Sequence, residues 1–382
     1  MKKILFLLFL LFIAGDEAWA KGNSAIWNGK TDIKWYSNSK TEFTITTPEQ
    51  LAGLAKLVNK GNDFKGKTVK LGANIMLNDT VGWQNWEKKK PKNKWKPIGF
   101  HKYTSYGHIG HLMLSDLIDN YFNGTFDGGG FAVSGVYVNE PDGTYIGLFG
   151  NVQYGVIKNL GVTASYISGG SQVGGLVGFI RDSKIINCHS NALVIGREFS
   201  VGGLAGEVNG YDSRIVSSYS TGTVTGRKII GGLVGMGSGE IINSYSSATV
   251  TGKEYVGGLV GIGSYIISSY SSGTITGDSY VGGLVGCINH TQITNSYSIG
   301  AVTGRSKVGG LVGNVRYDEG KVTNSYYSKE TSGQSDKGKG EGKTTAEMRK
   351  KETFEGWDFD RTWEIDGKVN GGYPYLSSLN HR

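Results

Sequence analysis

The feature that most constrains this chain is a glycine-rich motif that returns at a nearly constant interval. Residues 255–261, Tyr-Val-Gly-Gly-Leu-Val-Gly, form a typical copy. Similar copies end at Gly150, Gly178, Gly206, Gly235, Gly261, Gly286 and Gly313, in steps of 28, 28, 29, 26, 25 and 27 residues. A period of about 20 to 50 residues is typical of stacked repeat units. We therefore expect one elongated body rather than several compact domains.

Three glycines recur at fixed positions in these copies, as an adjacent pair and a third glycine three residues after it. They are Gly174, Gly175, Gly178, Gly202, Gly203, Gly206, Gly231, Gly232, Gly235, Gly257, Gly258, Gly261, Gly282, Gly283, Gly286, Gly309, Gly310 and Gly313. The pair fits a corner that needs a positive φ or a close approach of two backbones. The pattern leaves open which glycine of the pair is essential.

Two further segments recur in each period, a Ser/Asn-Tyr-Ser segment and a Thr-Val-Thr-Gly segment, and both are typical of strands. The sequence predicts an all-β chain that forms a parallel β-helix of about seven coils over residues 123–327, with three strands and three corners per coil. Alternate side chains of a strand take opposite faces, so the central Val of Thr-Val-Thr points inward if both Thr point outward. Two inner columns are expected: Val224, Val250, Ile275, Val302; and Leu176, Leu204, Leu233, Leu259, Leu284, Leu311.

The flanking residues are interpreted as caps that shield the ends of the solenoid core. Residues 21–122 form a small α/β N-terminal cap, with a helix at 47–60 that begins with Thr47, Pro48 and a capping box completed by Gln50. Residues 328–343 are Gly/Lys/Ser-rich and are interpreted as a linker. Residues 344–382 are interpreted as a C-terminal cap with a short helix near 345–351.

Residues 1–20 have the charged, apolar and small-residue order of a secretory signal peptide, and we expect cleavage after Ala20. No later segment approaches the ~20 apolar residues of a membrane helix, so no membrane span is expected after signal removal. Cys188 and Cys287 would lie about four coils apart, or roughly 19 Å, which is too far for a disulfide. The sequence thus predicts a secreted or cell-surface protein.

The repeated Val-Gly-Gly-Leu-Val-Gly motif, with Asn-Ser-Tyr-Ser between copies, resembles the GLUG-motif repeat of bacterial secreted and surface proteins. The resemblance covers residues 145–327 in seven copies. Residues 124–128 (Gly-Thr-Phe-Asp-Gly) and 371–376 (Gly-Gly-Tyr-Pro-Tyr-Leu) are also similar to what flanks such repeats. The resemblance implies an extracellular adhesive or scaffolding role, in a family whose members are sometimes attached to peptidase modules.

The least repetitive stretch, residues 79–119, is a basic excursion in which lysines alternate with tryptophans. Lysines beside aromatic rings can bind an anionic polymer by charge and stacking. A solvated loop with no ligand is the alternative, because lysine runs are usually only exposed. The candidate binding residues are Trp83, Trp86, Lys88, Lys89, Lys90, Lys92, Lys94 and Trp95.

Sequence motifs for catalysis are missing, so we expect neither an enzyme nor a cofactor nor a metal. The chain has no His-Glu-x-x-His and no Gly-x-Ser-x-Gly. His101, His108 and His111 lack a helix to fix ligand spacing, and they are interpreted as surface residues. Polysaccharide cleavage needs clustered carboxylates, and the nearest approach to a cluster is formed by Asp116, Asp119 and Asp127, which we interpret as turn residues.

Two repeated columns suggest other ligands and leave alternatives open. The outward threonines of the Thr-Val-Thr segments could form a flat hydroxyl array such as an ice-binding face, or could be ordinary exposed strand residues. A tyrosine column could stack on sugars from outside or be part of the packed structure; it comprises Tyr219, Tyr245, Tyr270, Tyr297 and Tyr326, with His189 before it. We expect a non-enzymatic, adhesin-like module that binds glycans or surface proteins and no nucleic acid, with a carbohydrate-active enzyme or an ice-binding protein as alternatives. The oligomeric state is not predicted.

Overall fold

A computed structural model describes residues 25–109, 112–289, 291–316, 320–335 and 339–379. The chain forms a parallel β-solenoid, and every strand pairing within the solenoid is parallel. The antiparallel pairings in the described residues are those of a hairpin, Phe100–Ile109 with Leu112–Asn120, and of a small C-terminal sheet, Trp363–Glu364 with Tyr375–Leu376. The predicted signal peptide, residues 1–20, lies outside the described residues.

One face of the solenoid stacks ten strand segments, and these extend the coil count beyond the seven predicted copies. The added coils at the N-terminal end use strands that the sequence assigned to a cap. From first to last coil, the segments lie in Glu42–Ile45, Thr68–Leu71, Thr125–Asp127, Val156–Lys158, Lys184–Ile186, Arg214–Val216, Val234–Ile242, Val260–Ile267, Gln292–Thr294 and Lys321–Thr323.

The Ser-Tyr-Ser and Thr-Val-Thr segments form the next face. Its strands are Ile75–Met76, Ala132–Ser134, Tyr137–Ile146, Gly161–Gly174, His189–Gly196, Tyr219–Thr225, Tyr245–Ser246, Thr249–Thr251, Tyr270–Ser271, Ile275–Thr276, Tyr297–Ser298, Val302–Thr303, Tyr326–Ser328 and Glu341–Lys343. Val224, Val250, Ile275 and Val302 are in register and buried, and the predicted leucine column is fully buried too. Both inner columns are therefore confirmed.

Each glycine-rich motif supplies two strands rather than one, because the chain turns at the Gly-Gly pair. The strand that ends at the pair is Phe199–Gly202, Lys228–Gly231, Glu254–Gly257, Ser279–Gly282 or Ser306–Gly309. The strand after it is Phe149–Gln153, Val177–Arg181, Ala205–Asn209, Val285–Asn289, Val312–Arg316 or the first part of Val234–Ile242 and Val260–Ile267. A coil thus has four strand segments where the sequence predicted three.

Close packing, and not a positive φ, explains why glycine recurs at these three positions of each motif. A Cβ atom on Gly257 would lie closer than 3.0 Å to the carbonyl oxygen of Val260 in its own coil. On Gly258 it would meet the carbonyl oxygen of Gly283 and the side chain of Ser271, both in the next coil. On Gly261 it would meet the carbonyl oxygen of Gly235. All three glycine positions therefore exclude a side chain.

A serine column inside one corner satisfies backbone groups that the turn leaves unpaired. The Ser244 hydroxyl accepts a hydrogen bond from the backbone N–H of Ser218 (3.2 Å) and donates to the carbonyl of Ile242 (2.8 Å). Ser218, Ser269, Ser296 and Ser325 accept equivalent bonds, and Cys188 replaces serine at the start of the column. Cys188 and Cys287 are both buried. Each hydroxyl thereby links one coil to the next.

The first coil carries the predicted helix, Pro48–Val58, which buries Leu51, Leu54 and Val58. The capping box is present: the Gln50 backbone N–H donates to the Thr47 hydroxyl, and the Gln50 side-chain oxygen accepts from the Thr47 backbone N–H. Short 3₁₀ helices occur at Trp83–Asn85, Lys351–Thr353, Asn370–Gly372 and Ser377–Leu379.

Thr47→Ala is expected to lower the stability of the helix by about 1 kcal/mol, because the Gln50 N–H loses its acceptor. Amide hydrogen exchange of residues 50–52 should accelerate, while Thr47→Ser should leave it near the original rate. An unchanged exchange rate in the alanine variant would show that tertiary packing alone holds the helix.

A helix and a strand lie in described parts of residues 328–343, which the sequence suggested as a linker. A short helix, Lys329–Ser332, follows the last complete coil, and Glu341–Lys343 then pairs in parallel with Tyr326–Ser328. Lys339 Nζ donates to the Gly313 carbonyl at 2.7 Å. These contacts place described parts of residues 328–343 against the last coil.

Residues 344–379, here named the C-terminal strap, lie along the side of the solenoid rather than over its end. The predicted helix near 345–351 is a series of turns followed by the 3₁₀ helix Lys351–Thr353. The Trp357 indole N–H donates to the Asn324 carbonyl, and the Ser378 hydroxyl lies 3.4 Å from that of Ser217. The strap thus follows the same lateral face from one coil to another.

The strap covers the tyrosine column, which points outward from the core. Tyr219, Tyr245, Tyr270 and Tyr297 stack with ring centroids 4.9 Å apart, and His189 stacks on Tyr219 at 5.0 Å. The neighbouring serines point inward and are buried. Strap residues pack over the column, namely Met348, Phe354, Trp357, Trp363, Tyr373 and Leu376. The rings of the column therefore lie outside the coil, and those of Tyr245, Tyr270, Tyr297 and Tyr326 lie under the strap.

Candidate functional site

The basic part of the excursion, residues 79–99, is anchored on the solenoid by two of its tryptophans. Trp86 is buried and packs edge-on against Tyr137, with 6.0 Å between ring centroids. Trp95 is 2% exposed, and its indole N–H donates to the Leu148 carbonyl at 3.0 Å. Trp83 is half-buried and packs against the cluster formed by Trp86, Tyr137 and Tyr166. Trp86 and Trp95 are corrected from ligand-stacking candidates to structural residues, because their ring faces are already covered.

Two buried asparagines fix the loop to the first coils. The Asn93 backbone N–H donates to the Asn78 side-chain oxygen, and the Asn78 amide donates back to the Asn93 carbonyl at 2.8 Å. The Asn78 amide also donates to the Gly135 carbonyl, and the Asn93 amide donates to the carbonyls of Trp27 and Leu77. These hydrogen bonds join Trp27, the loop of residues 79–99 and the solenoid. They hold in place the residues at the bottom of a groove between residues 26–28 and the loop.

That groove, here named the basic cleft, lies between residues 26–28 and the loop and has a volume of about 730 Å³. Its apolar side includes Ile26 and Val81, whose side chains are 47% and 86% exposed. Exposed apolar residues beside a groove are typical of a contact surface. The lining residues with charged side chains are Asp79, Lys89, Lys90 and Lys92.

The cleft has an excess of positive charge that no ion pair among the described residues neutralises. Lys89, Lys90 and Lys92 are exposed, and within the described part of the chain none of them forms an ion pair. Lys94 differs, because its ammonium lies 2.8 Å from the Glu140 carboxylate. Lys88 is exposed outside the cleft lining. Of the five lysines that the sequence predicted as binding residues, three line the basic cleft and two lie outside its lining.

The two acidic candidates with described side chains, Asp119 and Asp127, have different hydrogen-bond partners. Asp119 accepts hydrogen bonds from the side-chain amides of Asn151 and Gln153. Asp127 contacts Asn159 and Lys158; burial opposes ionisation, but hydrogen bonds from Asn159 and Gly129 and the nearby Lys158 ammonium lower the pKa of its carboxyl. Asp116 lies in the hairpin, of which the structure gives the backbone pairing. Asp119 and Asp127 thus each accept hydrogen bonds from neighbouring side-chain amides.

No group of three or more metal-ligating side chains occurs in the part of the chain open to description. His111 lies outside the described residues, and His101 and His108 are placed only as strand residues of the hairpin. None of the helices described has the length and apolar content that crossing a bilayer requires. The features described for the basic cleft are its positive charge and its shape.

The threonine rows form a separate exposed surface. Thr249 and Thr251 are exposed on either side of buried Val250, and they are in register with Thr223 and Thr225 of the preceding coil. Thr251 also aligns with Thr276, and Thr276 with Thr303. Leu193 and Ile195 occupy the same positions earlier and pack beside the Trp86 cluster. The hydroxyl array therefore starts only after that coil.

The comparisons with known proteins give more information about the fold than about the basic cleft. No family model matches the chain. The fold is similar to that of a "putative immunoglobulin A1 protease" from Bacteroides ovatus, known from a crystal structure, with a TM-score of 0.54 over 90% of this chain and 94% of that chain and 20% identity. At this identity the likeness establishes the shared fold alone.

A curated protein of Evansella cellulosilytica, named "Putative Gly-rich membrane protein", is 46% identical over 61 residues. That match covers 15% of this chain and 7% of the relative. The chain is thus similar to one short part of a much longer protein. These comparisons establish a β-solenoid fold and a likeness over 61 residues to a protein named as a Gly-rich membrane protein.

Proposed function

We propose that this protein is a non-enzymatic, adhesin-like binding module, secreted or displayed at a bacterial surface, that holds an acidic glycan in the basic cleft. The observation that carries the proposal is the meeting of Lys89, Lys90 and Lys92 at one groove without ion-pair partners in the described residues. An anionic chain would supply the missing negative charge, and the exposed Ile26 and Val81 would contact its sugar rings.

The location is supported by three features of different kind. Residues 1–20 have the pattern of an export signal, the repeat resembles the GLUG motif of surface proteins, and a relative over a short stretch is named a membrane protein. A rigid solenoid suits such a role, because it holds a binding site at a fixed distance from any point of attachment.

The enzymatic alternatives have less support. The protease in the name of the structural neighbour belongs to that protein, and at 20% identity it does not transfer. Among the described residues, Asp119 and Asp127, the acidic candidates with described side chains, are engaged by amides or a lysine instead of facing each other. Release of reducing ends or of unsaturated products from any polysaccharide would overturn the non-enzymatic proposal.

Replacing the three cleft lysines, as K89Q/K90Q/K92Q, is expected to weaken binding to an acidic polysaccharide at least about tenfold, since each lysine loses one contact with an anionic group. Binding should be measured by immobilised-polysaccharide titration at about 50 and 200 mM salt, because contacts with anionic groups weaken as salt rises.

The matched control is K56Q/K65Q/K184Q, which removes the same charge from three exposed lysines outside the cleft. Equal losses in both triple variants would mean that net charge, not the cleft, holds the ligand. Binding of neutral and acidic polysaccharides with the same affinity, or binding of neither, would contradict the proposal.

A further inference from the structure

A second cluster of aromatic and cationic side chains lies in the last coils, on a part of the surface that the proposed function does not use. Tyr255 and Tyr280 occupy equivalent positions in consecutive coils, two residues before each Gly-Gly pair. Their rings stack with centroids 4.4 Å apart and planes 21° apart. Tyr255 is buried and Tyr280 is half-buried.

The backbone conformation at this position explains why the rings meet. Tyr255 and Tyr280 have φ angles of 58° and 57°, in the left-handed region. Equivalent residues in other coils share this conformation, namely Tyr145, Gln172, Ser200, Ile229 and Lys307. The positive φ is therefore a property of the corner. What is particular to the last coils is the set of side chains that it brings together.

Two cations complete the cluster. Arg316 donates from Nη2 to the Tyr255 hydroxyl oxygen at 2.7 Å, and Lys307 donates from Nζ to the Tyr280 hydroxyl oxygen at 2.9 Å. The Lys307 ammonium also lies 4.3 Å from the Tyr280 ring centroid. Arg316 and Lys307 are exposed, and neither forms an ion pair within the ranges that the structure describes.

Among the residues with described positions, this arrangement offers hydrogen-bond donors and no unpaired carboxylate. Arginine and lysine can only donate, so each phenol oxygen is an acceptor toward its cation. The two phenols also hydrogen-bond each other, which leaves one phenolic proton for donation. The charged groups that act on Tyr255 are Arg316 and Lys228, and both are cations. Lys228 is paired with Glu254 at 3.3 Å, so within the described ranges Arg316 and Lys307 are the two cations of the cluster without an ion-pair partner. A donor-only site of this kind is complementary to an oxyanion.

We infer that Tyr255, Tyr280, Lys307 and Arg316 form a second binding site, specific for an oxyanion such as a sulfate or carboxylate group. The inference does not rest on the basic cleft, which lies beside the first coils. The hydrogen bond from Lys307 and its charge lower the pKa of Tyr280, which agrees with a phenol that donates strongly.

The test uses the full chain that carries K89Q/K90Q/K92Q, so that the cleft does not contribute. Inorganic sulfate and a sulfated oligosaccharide are titrated separately, with tyrosine difference absorbance and calorimetry as readouts. The further change K307Q/R316Q is expected to raise the dissociation constant at least about tenfold, because two charge-assisted contacts are lost. The control K184Q/R361Q removes one exposed lysine and one exposed arginine elsewhere and should leave it unchanged.

Tyr280→Phe keeps the ring stack but removes one donor, and it should weaken binding several-fold without lowering the melting temperature. Binding of both probes supports a site for the anion itself, and binding of the oligosaccharide alone supports a site for a glycan-borne sulfate. Equal losses in K307Q/R316Q and in its control, or no binding of either probe, would overturn the inference.

Discussion

Gly258→Ala is expected to destabilise the solenoid by about 3 kcal/mol or more, because the added methyl group overpacks the contact between two coils. The new Cβ would lie closer than 3.0 Å to the carbonyl oxygen of Gly283 and to the side chain of Ser271. Both groups belong to the next coil, and the Gly283 carbonyl cannot move away without disturbing the adjacent parallel pairing between Glu254–Gly257 and Ser279–Gly282. The backbone must separate locally to admit the methyl group.

Urea unfolding followed by circular dichroism measures this effect, with Gly367→Ala as the matched control. Gly367 has no atom within 4 Å of the position that a Cβ would take. Its alanine variant should unfold like the original protein. If Gly258→Ala also unfolds at the original urea concentration, the glycines serve the turn conformation rather than the close approach of coils.

Alkaline pH is expected to unfold the protein steeply above about pH 10, because the tyrosine column cannot ionise in place. Burial raises the pKa of Tyr245, Tyr270 and Tyr297 well above the usual value of 10.0. The unfolded chain loses these protons near pH 10, whereas the folded chain retains them. The stability is therefore complete below the unfolded pKa and falls as pH rises, by up to about 1.4 kcal/mol per pH unit for each tyrosine.

Urea midpoints at pH 9, 10 and 11 measure this slope, and Tyr270→Phe isolates the contribution of one ring. The variant keeps the stacking but cannot ionise, so its stability should fall less steeply by about 1.4 kcal/mol per pH unit. Tyr375 in the strap has the same sign, since its hydrogen bond to Glu364 raises its pKa to about 12. Parallel slopes in the two proteins would show that the column opens to water before it titrates.

The repeat made the fold predictable, because each coil places the same types of residue at the same buried and exposed positions. Val250 between two threonines indicated an inner position by alternation, and Leu259 recurred at a fixed distance from it; both are fully buried. The helix was predictable from a local signal. Thr47 and Gln50 form a capping box, in which each side chain accepts a hydrogen bond from the other residue's backbone N–H.

The features that the sequence analysis missed depend on contacts between segments far apart in the chain. Nothing local to Trp95 distinguishes a ligand-stacking ring from one that donates to Leu148, 53 residues later. The outward tyrosine column was equally ambiguous, because the strap that covers it lies after the last repeat. One local signal was available: the residue before each Ser-Tyr-Ser segment is often asparagine, such as Asn243 and Asn295, which tolerates the positive φ found there.

The candidate site was predicted in composition but not in geometry. The lysine run indicated a basic surface, yet the grouping of Lys89, Lys90 and Lys92 depends on Asn78 and Asn93, which hold the loop against the first coils. The cluster around Tyr255 could not be anticipated from spacing, because it joins residues from three coils through a corner conformation. Such sites follow from stacking, which aligns residues about one period apart.

The strap also limits how the number of repeats can change during evolution. Its contacts with Asn324, Tyr297 and Ser217 fix its length against the coils beneath it. Duplication or loss of a period among those coils would move one anchor by about 4.8 Å while the other stayed in place. A period added nearer the basic cleft would leave all three anchors aligned. Length variation among descendants of this gene is therefore expected to concentrate in the N-terminal half of the solenoid.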